Sequence, residues 1–265
     1  MNTFLTKNVI PCNIFIKKAK GIILWDQNNK EYLDFSSQTL NLNLGNAPDF
    51  AKEAFIKQFD TFTFLSSRFE SEIFIRLSKK IVTLAPKGLT KVNLKLTNGS
   101  DANESALKRV RAYHKKPYII SFYTSHLGES SETLSASGKH FHTNVYRGGS
   151  HFFIYIRPPF MYKVNGYSDK EADMKTLDEI EFLFTHRQDI SAIILESVMV
   201  NAGGYIFSVS FLKQLLHYAI GTKSVLSLMK CKLHLVGWAH GLPLNTLKLF
   251  LICSPWAKDL GLVFH

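Results

Sequence analysis

The sequence predicts a layered α/β fold built on a mainly parallel sheet. Three observations lead there. Over the first 196 residues, short apolar runs of strand length alternate with stretches of helical period. The 265 residues are 46% hydrophobic and 13% aromatic, which excludes a disordered chain and supplies enough apolar material for a real core. No internal repeat or low-complexity segment interrupts the pattern.

The elements follow in order. GIILWDQNNKEYLDF reads as a hairpin, two apolar runs around the turn Asp26-Gln27-Asn28-Asn29. Pro48 opens a helical stretch with Ala51, Phe55, Ile56 and Phe59 at helical spacing. Residues 69–84 repeat that spacing through Ile73, Leu77, Ile81 and Leu84. A short strand is expected over Val92–Thr97, then the tight turn Asn98-Gly99-Ser100 and a helix from Asp101 to Tyr113. Strands are expected at Tyr118–Phe122, Phe152–Ile156 and Ala192–Leu195, with helices over Lys170–Phe184 and residues 210–219. Residues 220–257 lack a clear amphipathic period, yet are too apolar for a loop of that length.

Charge and cysteine content narrow the function classes. The formal net charge of +11 invites a nucleic-acid or anionic-membrane partner. The excess is not a Lys/Arg cluster: residues 197–258 carry six lysines and no acid at all. With no motif combining aromatic and basic residues, no nucleic-acid partner is expected. No uncharged apolar run reaches about 18 residues, so no membrane span is expected. Lysines interrupt the apolar N-terminus, which argues against a signal peptide. Cys12, Cys231 and Cys253 lie far apart without paired spacing, so neither a disulfide framework nor a zinc site is suggested and a cytoplasmic location is expected.

The sharpest local signal is Thr97-Asn98-Gly99-Ser100-Asp101-Ala102-Asn103-Glu104, set between a strand and a helix. Gly99 allows close backbone approach, and the outward amides and dipole of the helix start favour an anion such as phosphate. The same residues also suit an ordinary capped helix with Ser100 or Asp101 at the N-cap.

Several segments together resemble the class III aminotransferases, which are pyridoxal-phosphate enzymes. GIILWDQNNKEYLDFSS is similar to the family's entry hairpin and LGNAP to the turn after it. LTNGSDANESALKRVRAY resembles the helix start N-S-G-S-E-A-N-E-x-A-x-K-x-A-R. ISFYTSHLGESSETLSASG is similar to the segment carrying Tyr-His-Gly, and AIILESVMVNAGG to the strand end A-x-I-x-E-P-x-x-x-x-G-G. The resemblance runs from about residue 10 to residue 219 and implies a fold-type-I architecture, a mainly parallel central sheet with helices on both faces.

By that resemblance Gly99 and Ser100 bind the phosphate of pyridoxal 5'-phosphate, His126 takes the place of the ring-stacking aromatic, and Glu196 lies near the cofactor. Leu127 replaces the family's histidine, Ser197 its proline, while Gly128 is kept. WAKDLGLVF looks like T-L-A-K-G-L-G-x-G-F, which makes Lys258 the Schiff-base lysine; an ordinary surface lysine is the alternative. The carboxylate that pairs with the pyridine nitrogen lies in a D-E-V-Q motif in this family, and this chain has none.

The missing motif and the acid-free run share one explanation. Codons permitted for Leu228-Met229-Lys230-Cys231-Lys232-Leu233, read one base earlier, spell D-E-V-Q-T. The Glu codon is forced by Met229-Lys230, and further on the Gly of G-T-W is forced by Trp238-Ala239. A frame shift over about residues 221–256, restored near Trp256, is therefore expected; chance is the alternative.

The expected organisation is an N-terminal hairpin segment (1–48), a partial large cofactor domain (49–219) and an anomalous tail (220–265) that stops short of the family's C-terminal domain. The expected activity is transfer of an amino group from an amino donor to a 2-oxo acid by a cytoplasmic homodimer, impaired in this chain. A non-catalytic remnant or interaction protein is the other reading.

Overall fold

In the computed structural model of the chain, which describes residues 14–42, 44–66, 68–84, 90–94, 98–138, 151–196, 198–221, 225–230 and 249–253, the expected hairpin forms. A strand not foreseen, β1 (Ile16–Lys20), pairs antiparallel with β2 (Ile23–Asp26), which pairs antiparallel with β3 (Glu31–Leu33). Lys17, Lys18 and Lys20 hide β1 from a hydrophobicity reading, and a bulge between Ile16 and Lys18 breaks its alternation. The buried Asp26 carboxylate organises the turn: it accepts the amides of Asn28 (2.8 Å) and Lys30 (3.0 Å) and the Tyr32 hydroxyl (3.1 Å). The short α1 (Ser37–Leu40) was not foreseen either.

α2 (Asp49–Thr61) starts directly after Pro48, as expected, and Asp49 pairs with Lys20 at 2.7 Å. Its apolar stripe is not buried: Phe50, Phe55, Ile56 and Phe59 are all exposed. All of these elements belong to the first of two compact units, Met1–Phe69; the second is Glu70–His265.

The second unit is organised around a five-stranded sheet. Its strands are β4 (Tyr118–Phe122), β5 (Phe153–Ile156), β6 (Ile190–Glu196), β9 (Val225–Lys230) and β10 (Leu249–Cys253), in the order β10-β9-β6-β4-β5. Every pairing is parallel. Alternate residues of each strand face opposite layers. Ile120, Phe122, Ile193 and Leu195 join one core with Ile81 of α3 (Glu72–Leu84), Leu177, Ile180 and Phe184 of α7 (Asp169–His186), and Phe211 and Leu215 of α8 (Val209–Gly221). Ile119, Ala192 and Ile194 join the other with Leu107 and Val110 of α4 (Gly99–His114) and Ala136 of α5 (Ser131–Ala136). Helices thus cover both faces, which is why β6 is buried along its whole length.

Further short elements were not foreseen: α5, α6 (Pro159–Lys163) and the hairpin of β7 (Val198–Met199) with β8 (Tyr205–Ile206). The expected strand at Val92–Thr97 is not continuous. Val92 makes a single β-bridge, Asn93 and Leu94 lie outside any strand, and the rest falls outside the described residues. Between 220 and 257 the sequence shows no clear period, yet β9 and β10 extend the parallel sheet. Val225-Leu226-Ser227-Leu228-Met229 and Leu249-Phe250-Leu251-Ile252-Cys253 are apolar runs of strand length, and strands of a parallel sheet need no alternation. Among the described residues no helix is long and apolar enough to cross a membrane, and no cluster of candidate metal ligands occurs.

Candidate functional site

The site is built from the start of α4 and the loop that leaves the carboxyl end of β4. Asn98, not Ser100 or Asp101, is the N-cap: its backbone is extended and its side-chain oxygen accepts the Asp101 amide at 3.0 Å. The helix therefore starts two residues earlier than expected, and Gly99 and Ser100 occupy its first turn. Among the described residues none accepts a hydrogen bond from the Gly99 or Ser100 amide, so two donors at the positive end of a 16-residue helix remain available to an anion.

The loop after β4 closes on this helix start. Ser100 Oγ accepts the Glu129 amide at 3.0 Å. Gly128 has φ +142°, and a Cβ there would lie 2.6 Å from Ser100 Oγ and 2.5 Å from Thr133 Oγ1. Only glycine allows this approach. At the loop's beginning Thr124 has φ +66°, a strained conformation for a β-branched residue; its amide donates to Gly138 O at 3.0 Å.

Glu196 ends β6 beside this loop and is 3% exposed. Its Oε1 accepts the His126 amide at 2.8 Å, across 70 residues of sequence. The His126 ring lies 3.7 Å from Glu129 Oε1, an ion pair whenever the imidazole is protonated. Glu129 thus links His126 to Ser100, and Glu196 reaches the same loop from the neighbouring strand. Four of the five expected site residues, Gly99, Ser100, His126 and Glu196, converge at the carboxyl end of a parallel sheet, where open α/β folds bind ligands. Lys258 lies outside the described residues, as does Ser197.

Several residues at the site were not singled out from the sequence. The buried Asn103 donates to Leu127 O at 2.5 Å, Ser137 Oγ accepts the Leu127 amide at 2.8 Å, and Glu104 accepts the Glu132 amide at 3.0 Å. Arg111 braces the same helix pair, ion-paired with Glu132 at 2.5 Å and donating to Pro117 O at 2.9 Å. Asn103 and Glu104 fall within the quoted helix-start motif, a signal that could have pointed to them. Leu127, in place of a histidine, is fully buried in the core between α4 and the sheet.

A helix N-terminus whose first two amides have no acceptor among the described residues is closed here by a glycine-bearing loop at the carboxyl edge of a helix-covered parallel sheet, and the fold is that of solved aminotransferases. The taurine:2-oxoglutarate aminotransferase from Bifidobacterium kashiwanohense, solved in complex with PLP and glutamate, superposes on the whole chain with a TM-score of 0.83 at 23% identity, 62% of that structure being covered. The family model for class-III aminotransferases matches residues 4–225, and the chain belongs to that family. Acetylornithine aminotransferase from Listeria innocua is 31% identical over 202 residues, covering 76% of this chain and 46% of the relative. 4-Aminobutyrate aminotransferase from Escherichia coli is 28% identical over 76% of this chain and 47% of its own length. The chain thus spans about half the length of these curated relatives.

Proposed function

We propose that this chain is a pyridoxal-phosphate-binding member of the aminotransferase family in which transfer of an amino group from an amino donor to a 2-oxo acid is impaired. The observation that carries the first half is the pair of available amides at Gly99 and Ser100, facing the loop held by Ser100 Oγ and Gly128. The donors suit a phosphate dianion, and Gly128 leaves the room that a Cβ would fill. Bound pyridoxal phosphate supplies an electron sink for chemistry at the substrate's amine-bearing carbon.

The chain's own residues divide the remaining work. Gly99 and Ser100 bind the phosphate by backbone amides and hydroxyl. His126, its main chain held by Glu196, would flank the cofactor ring. Lys258 holds the cofactor and moves the substrate proton. An imidazole stacks on a pyridine more weakly than tyrosine does, which lowers the cofactor affinity.

Impairment is supported by the register of β9. Leu228 and Met229 stand beside Leu195 and Glu196, and no carboxylate occurs between residues 197 and 258 to keep a pyridine nitrogen protonated. The shifted reading frame places its Asp codon at this same position, and the family match ends at residue 225, close to where the shift is inferred to start. These observations support reading residues 221–256 as the out-of-frame translation of the family's missing strand and of the segment leading from it to the lysine motif. Assembly as a homodimer in the cytoplasm completes the proposal, on the family resemblance.

The test is to incubate the purified chain with pyridoxal phosphate, reduce with borohydride and monitor the retained cofactor absorbance. Retention lost in Lys258→Ala, with little or no amino-donor turnover, is the expected result. Strong Lys258-dependent turnover would overturn the impairment, and absence of any retained cofactor would overturn the binding. Codons incompatible with GAT-GAA at positions 228/229 would refute the frame shift.

A further inference from the structure

Asn103 is completely buried, on the face of α4 that meets the loop after β4. Its side-chain amide donates to the carbonyl of Leu127, the residue between His126 and Gly128, at 2.5 Å. We propose that Asn103 is a positioning residue that fixes the His126–Glu129 loop over the start of α4 and so sets the shape of the phosphate site. The proposal rests on the cofactor reading given above.

The loop's other anchors show why this one matters. The His126 amide goes to Glu196, the Leu127 amide to Ser137 Oγ, the Glu129 amide to Ser100 Oγ and the Ser130 amide to Thr133 Oγ1. These bonds all restrain N–H groups. Asn103 instead captures a carbonyl, that of Leu127, and it does so from the helix whose first turn holds Gly99 and Ser100. A buried donor one turn further along that helix places the loop in register with the available amides. Without it the Leu127 carbonyl would lose its partner in an environment closed to water.

The test separates the donor from the shape. Asn103→Leu keeps the branched shape and removes the donor. In Asn103→Asp burial favours the neutral acid, whose hydroxyl can donate to the same carbonyl. Hydrogen exchange on the cofactor-free chain reads the loop directly. Exchange of the Leu127 and Glu129 amides is expected to rise about tenfold in Asn103→Leu, the effect of losing one buried hydrogen bond, while amides in the interior of β6 stay unchanged. Asn103→Asp is expected to recover most of the protection. Pyridoxal-phosphate affinity, measured by fluorescence titration, should change in the same order.

Equal loop protection in wild type and Asn103→Leu would overturn the proposal, as would equal loosening in both variants. If wild type binds no pyridoxal phosphate but Asn103→Leu alone loosens the loop, the positioning role stands and the cofactor reading fails. If wild type binds the cofactor and neither variant alters exchange or affinity, the positioning role fails and the cofactor reading stands. Should Asn103→Leu fold poorly, Asn103→Ala removes the donor without adding bulk, and unchanged loop exchange there would overturn the proposal.

Discussion

Gly128 is a residue whose replacement is tightly restricted by geometry. Its φ of +142° and the 2.5–2.6 Å approach of Thr133 Oγ1 and Ser100 Oγ to any added Cβ leave two neighbours to yield, both of them holding the loop. Gly128→Ala is expected to destabilise the chain by about 1–3 kcal/mol through overpacking and backbone strain. It should also abolish phosphate-dependent cofactor binding; urea denaturation and pyridoxal-phosphate titration check the two effects separately. The tight turn at Asn98-Gly99-Ser100 was legible in the sequence because Gly and Asn carry local preferences. Its N-cap was not, because Asn98, Ser100 and Asp101 all favour that position. The choice fell to Asn98, whose extended backbone and side-chain bond to the Asp101 amide leave the next two amides available. Asn98→Ala should lower stability by about 1 kcal/mol, read as a shift of the denaturation midpoint.

At the scale of elements, the N-terminal hairpin owes its shape to one carboxylate. Burial pulls the Asp26 carboxyl up, but the Lys30 and Asn28 amides and the Tyr32 hydroxyl together outweigh it and hold it below its ordinary value of 3.8. A carboxyl depressed in the folded state adds stability above its unfolded value and loses it as pH falls through the folded one. Asp26→Ala should therefore be less stable than wild type at about pH 6. The gap should close as pH falls below 3.8, measured by chemical denaturation at a series of pH values. Strands and long helices of the second unit were legible from hydrophobic period, with ends moved by a residue or two. Short elements such as α5 and α6 were not, because so few residues hold too little period to read. The helix at Asp49–Thr61 was legible as a helix, but its burial was not: periodicity shows that Phe55, Ile56 and Phe59 share a face, not that anything covers it.

For the molecule as a whole, the tail decides what the chain can do. β9 and β10 complete a five-stranded parallel sheet from a segment without acids, because apolar, β-prone runs of this length suit strand pairing. The sheet thus forms although residues 197–258 contain no carboxylate, which is what the proposed impairment requires. Recoding residues 221–256 in the shifted frame should raise soluble yield and sharpen thermal unfolding. It should also produce a cofactor absorbance change on adding an amino donor that the present chain lacks. Calorimetry and absorbance spectroscopy on the two chains compare them directly.

The sequence by itself determined the family, the alternation of strands and helices, and the segment that forms the candidate site, since each is written in residues adjacent along the chain. Tertiary structure decided which groups that site is made of. Glu196 meets the His126 amide across 70 residues and Asn103 meets the Leu127 carbonyl across 24. Those partnerships arise from β6 pairing beside β4 and α4 packing on the sheet, and strand order is set by which neighbours satisfy each strand's backbone and bury its faces, a choice no local pattern records.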